Sequence, residues 1–141
     1  MPLLEQVLEK NPNTVKIVFK NFPIRSHKFA LNAALAALAA DRQGKFWEFH
    51  DQLFKNYNRL NEEKVQQIAE ELKLDKAQFE KDRRDPLLLE IVKHDVNQGI
   101  EAGINSVPTV FVNGRRLTRR SLEGFQELID KALKNLNIKK P

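Results

Sequence analysis

The chain has 141 residues, 41% hydrophobic and 30% charged, with a formal net charge of +5 from 24 Lys and Arg against 19 Asp and Glu. That is too apolar for disorder and too charged for a membrane bundle, and a chain of this length can bury one core of its own. It contains no cysteine, which excludes disulfides, thiolate nucleophiles, CxxC redox chemistry and Cys-ligated zinc together.

Leu3, Leu4, Val7 and Leu8 recur at helical spacing and stop at Asn11-Pro12-Asn13, so the chain is expected to open inside a helix. Residues 14–19, TVKIVF, are β-branched and aromatic and are followed by Asn21-Phe22-Pro23, which predicts a buried strand leaving its sheet at Pro23. From Ser26, a plausible N-cap, an Ala- and Leu-dense run reaches Gly44 and predicts a helix whose small side chains permit close packing. Phe46, Phe49, Leu53 and Phe54 then form an aromatic helical face beside Trp47 and His50, more simply core than peptide groove.

Asn61 is expected to cap a helix running to Leu72, and Asp75 with Gln78 resembles a capping box. Pro86 suits the first turn of the next helix, whose stripe Leu88, Val92, Val96, Gly99, Ile100 and Gly103 is expected to face a core. The period then changes. Residues 109–112, TVFV, predict a strand, Asn113-Gly114 a type I′ hairpin turn, and residues 116–118 the return strand. Ser121 is expected to cap a last helix lined by Leu122, Phe125, Leu128, Ile129, Leu133 and Leu136.

The order is helix, strand, five helices, hairpin, helix. Four stretches give it a family likeness: KIVFKNFP at 16–23, the Ala-rich run at 30–40, KFWEFHDQLF at 45–54, and GINSVPTVFVNG at 103–114. In this order they resemble the DsbA-like branch of the thioredoxin fold, the thiol-disulfide oxidoreductases. The resemblance implies an α/β fold with an all-helical insertion, residues 1–23 and 104–141 forming the thioredoxin-like part and 24–103 the insertion.

In that family a central strand ends in a CxxC motif that opens the first helix, and PLLEQVL at 2–8 resembles the continuation of that helix. The resemblance thus implies that this chain starts past both cysteines and lacks the first core strand, so that no catalytic residue is expected. It also implies a cis bond at Val107-Pro108, although proline statistics alone put cis at about 5%. Val107, Pro108 and Thr109 are accordingly the expected contacts for an extended or unfolded peptide. The plain alternative is a trans proline that starts an edge strand.

No other constellation carries chemistry. His27, His50 and His94 lie on separate predicted helices without ligand spacing, so no metal is expected. Ser26, Ser106 and Ser121 lack a hydrolase setting, there is no glycine-rich phosphate loop, and no cofactor is expected. Arg115, Arg116, Arg119, Arg120, Lys139 and Lys140 concentrate the positive charge, but no base-stacking pattern accompanies them and nucleic acid is not expected as a partner. The most apolar stretch is far shorter than the roughly 20 residues that span a bilayer, and the N-terminus has no secretory pattern. Membrane association is not expected, and a cytoplasmic place is, although the family resembled is usually exported. Loss of a central strand would expose two sheet edges, so the chain is expected to homodimerise. The rival reading is an interaction or self-assembly module built on those edges. A second rival, a relative of the kappa-class glutathione transferases or of isomerases sharing the fold, would also need the missing segment.

Overall fold

The computed structural model describes residues 2–24 and 29–136. The Ser26 cap, His27, Lys139 and Lys140 lie outside the described residues. The chain divides into two compact units, residues 20–103 and residues 1–19 with 104–141.

The unit of residues 20–103 is helical among its described residues. It contains α2 (Ala30–Asp41), α3 (Phe46–Lys55), a 3₁₀ turn at Tyr57–Arg59, α4 (Glu62–Glu71), α5 (Lys76–Arg83) and α6 (Pro86–Glu101). Its core is built on α2, where Ala36, Ala39 and Ala40 are fully buried. With only a methyl group at each of these positions, α3, α5 and α6 approach the helix closely, and the large side chains Phe49, Phe79 and Ile68 fill the remaining space. The expected cap at Asn61 is present, its side chain accepting from the Lys64 N–H at 2.7 Å. Asp75 likewise accepts from the Gln78 N–H at 2.8 Å. The reciprocal half of that capping box is filled otherwise: Gln43 accepts from the Asp75 N–H at 2.8 Å, while Gln78 donates to Asp82. In α6 the stripe is narrower than expected. Leu88, Val92 and Gly99 are buried, Ile100 is exposed, and Asp95 is buried instead.

The other unit contains α1 (Pro2–Lys10), the hairpin β1 (Phe111–Val112) and β2 (Arg115–Arg116), and α7 (Leu122–Asn135). Val7, Leu117, Phe125, Ile129 and Leu133 form its core, with Val15, Val110 and Val112 packed against them. Asn11 is buried at the end of α1. Its side chain donates to the Val7 carbonyl and exchanges two hydrogen bonds with Gln126, at 2.9 and 3.1 Å, tying α1 to α7. Asn113 and Gly114 have φ of 46° and 83°, the left-handed pair that a two-residue I′ turn requires. Ser121 caps α7, accepting from the Gly124 N–H at 3.0 Å.

Two expectations are corrected here. The strand expected over 14–19 is not formed: residues 15–18 make no ladder hydrogen bond among the described residues. Their β-branched composition supplies propensity, but a strand exists only through a partner, and the described residues supply none. The hairpin strands are also shorter than expected, two residues each rather than four and three, because the backbone pairing continues past them only through the Leu117 N–H to Val110 carbonyl bond at 2.8 Å.

Candidate functional site

Residues 104–110 form the loop that leads into β1. The Val107–Pro108 peptide is cis. Two contacts hold the loop: Thr109 Oγ1 donates to the Ser106 carbonyl at 2.7 Å, and Arg120 Nη2 donates to the Pro108 carbonyl. Arg120 is itself placed by a tight turn. Gly124, in the first turn of α7, lies so close to the Arg119 carbonyl that a Cβ there would stand 2.1 Å from the oxygen, so the chain at Arg119 and Arg120 packs onto backbone where no side chain fits.

The three residues expected to contact a peptide are therefore together on one loop, at the entrance to the hairpin. Val107 is 44% exposed and Pro108 is exposed. Among the described hydrogen bonds, none uses the Val107 N–H or carbonyl. Pro108 has no N–H. The loop thus presents the Val107 side chain together with its main-chain N–H and carbonyl.

The other residues of interest sit in the helical unit and do different work. His50 is buried among the rings of Phe46, Trp47 and Phe54, with centroids 4.5 to 5.7 Å away. Burial pushes its imidazole below the usual value, partly offset by Asp51, whose carboxylate lies 3.3 Å from Nδ1. Among the described residues no group of three His, Asp or Glu side chains is placed to hold a metal. No described helix is long and apolar enough to cross a membrane.

Sequence reasoning missed the long-range polar contacts. Asp95 Oδ2 accepts from both the backbone N–H and the side-chain amide of Asn21, each at 2.9 Å. Arg42 bridges Asp82 and Asp85, both at 2.8 Å. Arg83 grips Glu62 through two nitrogens at 2.6 and 2.8 Å, beside a cavity of about 270 Å³ lined by Asn32, Leu35, Glu62, Glu80, Arg83 and Arg84. Glu62 and Glu80 both pair with Arg83, and Glu80 also lies 3.9 Å from Arg84, so the two carboxylates and two guanidiniums lining the cavity balance in charge. The partners in these contacts are 21 to 74 residues apart, and no local spacing reveals them.

A family model described as thioredoxin matches residues 2–131. The Na(+)/H(+) antiporter NhaA 3 of Salinispora tropica is 36% identical over 104 residues, 73% of this chain and 16% of that protein. Probable disulfide bond formation protein D of Bacillus anthracis is 29% identical over 140 residues, 94% of this chain and 63% of that protein. The crystal structure of a thioredoxin-like oxidoreductase from Silicibacter pomeroyi DSS-3 superposes with a TM-score of 0.82 at 28% identity, covering 95% of this chain and 77% of the other. The chain spans less than two thirds of the length of either curated relative.

The Arg83 pair generates a pH dependence. Its hydrogen bonds hold the Glu62 carboxyl down at about 2, from a usual 4.5. A depressed carboxylate stabilises the fold fully above its unfolded value, and that contribution is lost as pH falls toward the folded one. Because Glu62 is 55% exposed, screening keeps the effect below about 1 kcal/mol. Thermal melts should show the wild type losing stability faster than Glu62→Gln between about pH 4.5 and about pH 2. Parallel slopes would show that the pair contributes nothing.

Proposed function

The chain belongs to the thioredoxin-like family, and from that premise we propose that these 141 residues are a peptide-binding domain of its disulfide-oxidoreductase branch that performs no exchange chemistry itself. The name of the Bacillus relative, disulfide bond formation protein D, supports that branch. Exchange begins with attack by a thiolate on a disulfide sulfur, and a chain without cysteine has no atom for that step. The capacity proposed is recognition. An extended peptide would pair with the main chain at Val107 and Thr109 and lay a side chain against Val107, while the Ser106 and Pro108 carbonyls stay engaged within the loop.

The observation that carries this reading is the loop itself, exposed and held in shape with the Val107 main-chain groups unengaged. Its test uses fluorescence anisotropy with a labelled, extended apolar peptide, alongside an insulin-reduction assay. Saturable binding with no turnover above buffer is expected. Val107→Ser should weaken binding about threefold, the scale of losing part of one apolar contact, with circular dichroism unchanged. Unchanged affinity in that variant would remove the loop from the site, and turnover above buffer would overturn the non-catalytic reading.

A second reading is favoured by residues 15–18, which have no ladder partner among the described residues while Val18 is 63% exposed. Such an edge can pair with its copy in a symmetric dimer. Light scattering after size-exclusion chromatography at micromolar concentration should then give twice the 16.4 kDa of one chain. A mass of one chain would rule this assembly out.

A further inference from the structure

We propose that Asn113 is a site of spontaneous deamidation, reactive only while the hairpin turn is open, and that its isoaspartyl product keeps the hairpin from closing again. The modification is independent of what the loop before the hairpin binds.

Asparagine deamidates when the main-chain nitrogen of the next residue attacks its side-chain carbonyl carbon. Here the Gly114 N–Asn113 Cγ bond forms, the Cγ–Nδ2 bond breaks, and ammonia leaves with the proton of the Gly114 amide. Water then opens the resulting succinimide at one of its two carbonyls, giving aspartate or, with the main chain rerouted through Cβ, isoaspartate; nothing is oxidised or reduced. The attacking nitrogen is least hindered in glycine, which carries no Cβ, and of the asparagines in this chain Asn113 alone precedes a glycine. Among the rest, Asn11, Asn21, Asn56 and Asn61 have their side chains in hydrogen bonds, and Asn32 and Asn97 lie within helices. Asn113 and Gly114 are both exposed. Neither the Asn113 side chain nor the Gly114 N–H is in a hydrogen bond among the described residues. The exposed guanidiniums of Arg115 and Arg116, next along the chain, favour loss of the Gly114 amide proton.

The turn controls the reaction. Asn113 and Gly114 have φ of 46° and 83°, and in an I′ turn the ψ of the first residue is about +30°. For an L-residue that ψ sets the following nitrogen nearly anti to Cβ across the Cα–C bond, whereas closing a five-membered ring needs the two nearly eclipsed. The closed hairpin is therefore unreactive, and reaction waits for a rotation that breaks the turn. Two residue pairs, Phe111 with Arg116 and Val112 with Arg115, and the Leu117 N–H to Val110 carbonyl bond hold the hairpin shut; short exposed elements of this kind are the first to open. The two products then diverge. Aspartate tolerates the left-handed conformation and leaves a two-residue turn. Isoaspartate places one more main-chain carbon between Val112 and Arg115, so the I′ geometry is lost and the register it fixed cannot be restored.

The full chain and a peptide of residues 110–117 are aged side by side at mildly alkaline pH and sampled by peptide mapping in a mass spectrometer, with chromatography separating the two products of equal mass. Asn113 is expected to be the first asparagine of the chain to exchange its amide for a carboxyl, ahead of the exposed Asn105 before Ser106. It should react about tenfold slower than in the peptide, as it would if roughly one hairpin in ten were open at a time. In the isoaspartyl fraction the Leu117 amide should lose its protection from hydrogen exchange, while the variant Asn113→Asp, which carries the other product, should keep it. No change at Asn113, or earlier change at another asparagine, would overturn the site. A rate equal to that of the peptide would overturn control by the turn. A protected Leu117 amide in the isoaspartyl fraction, or loss of its protection in Asn113→Asp as well, would overturn the effect assigned to isoaspartate.

Discussion

Main-chain groups need partners, and around the candidate site that requirement is met on one side only. The hairpin closes on itself through Asn113 and Gly114, and its inward groups are paired as far back as Val110 and Leu117. Its outward groups at Thr109 and Phe111 are not paired among the described residues. A group of this kind costs on the order of 1 to 3 kcal/mol if it is buried without a partner. The exposure of Val107 and Phe111 and the free outward face of the loop are consequences of that one condition.

The charges divide along the same line. In the helical unit, Arg42 and Arg83 are consumed by Asp82, Asp85, Glu62 and Glu80, and Asn21 is fixed by Asp95. These contacts hold helices α2, α4, α5 and α6 in place. In the other unit the arginines of the hairpin and of the turn before α7 have no such partners among the described residues. Gly124 has a part in this, because the room it leaves lets the Arg119 carbonyl sit against the first turn of α7 and so positions Arg120 on the loop.

Local signals in the sequence were the readable ones. Asn61, Asp75 and Ser121 cap helices where their residue types and spacing place them, and Asn113 with Gly114 makes the turn that its φ requirements demand. The thioredoxin-like likeness was legible because four stretches keep their order along most of the chain. What could not be read depended on distant partners. Residues 15–18 have the composition of a strand and, among the described residues, no strand paired with them, and propensity cannot report that. Asn11 reads as a helix stop, yet its larger role is the amide pair with Gln126, 115 residues away. Asp95 lies on the same helical face as Leu88, Val92 and Gly99, but its charge reads as surface, and it is accommodated in the interior by its hydrogen bonds from Asn21. At the site, the loop residues were legible through resemblance, whereas the contact of Arg120 with the Pro108 carbonyl required the structure to be seen.

Amide hydrogen exchange at single residues tests the peptide-binding loop most directly. In the free chain the Val107 amide should exchange fast while the Leu117 amide, paired to Val110, is protected; a saturating extended apolar peptide should then protect Val107 without changing Leu117. Protection of Val107 already in the free chain, or its continued fast exchange with peptide bound, would contradict peptide pairing at this loop.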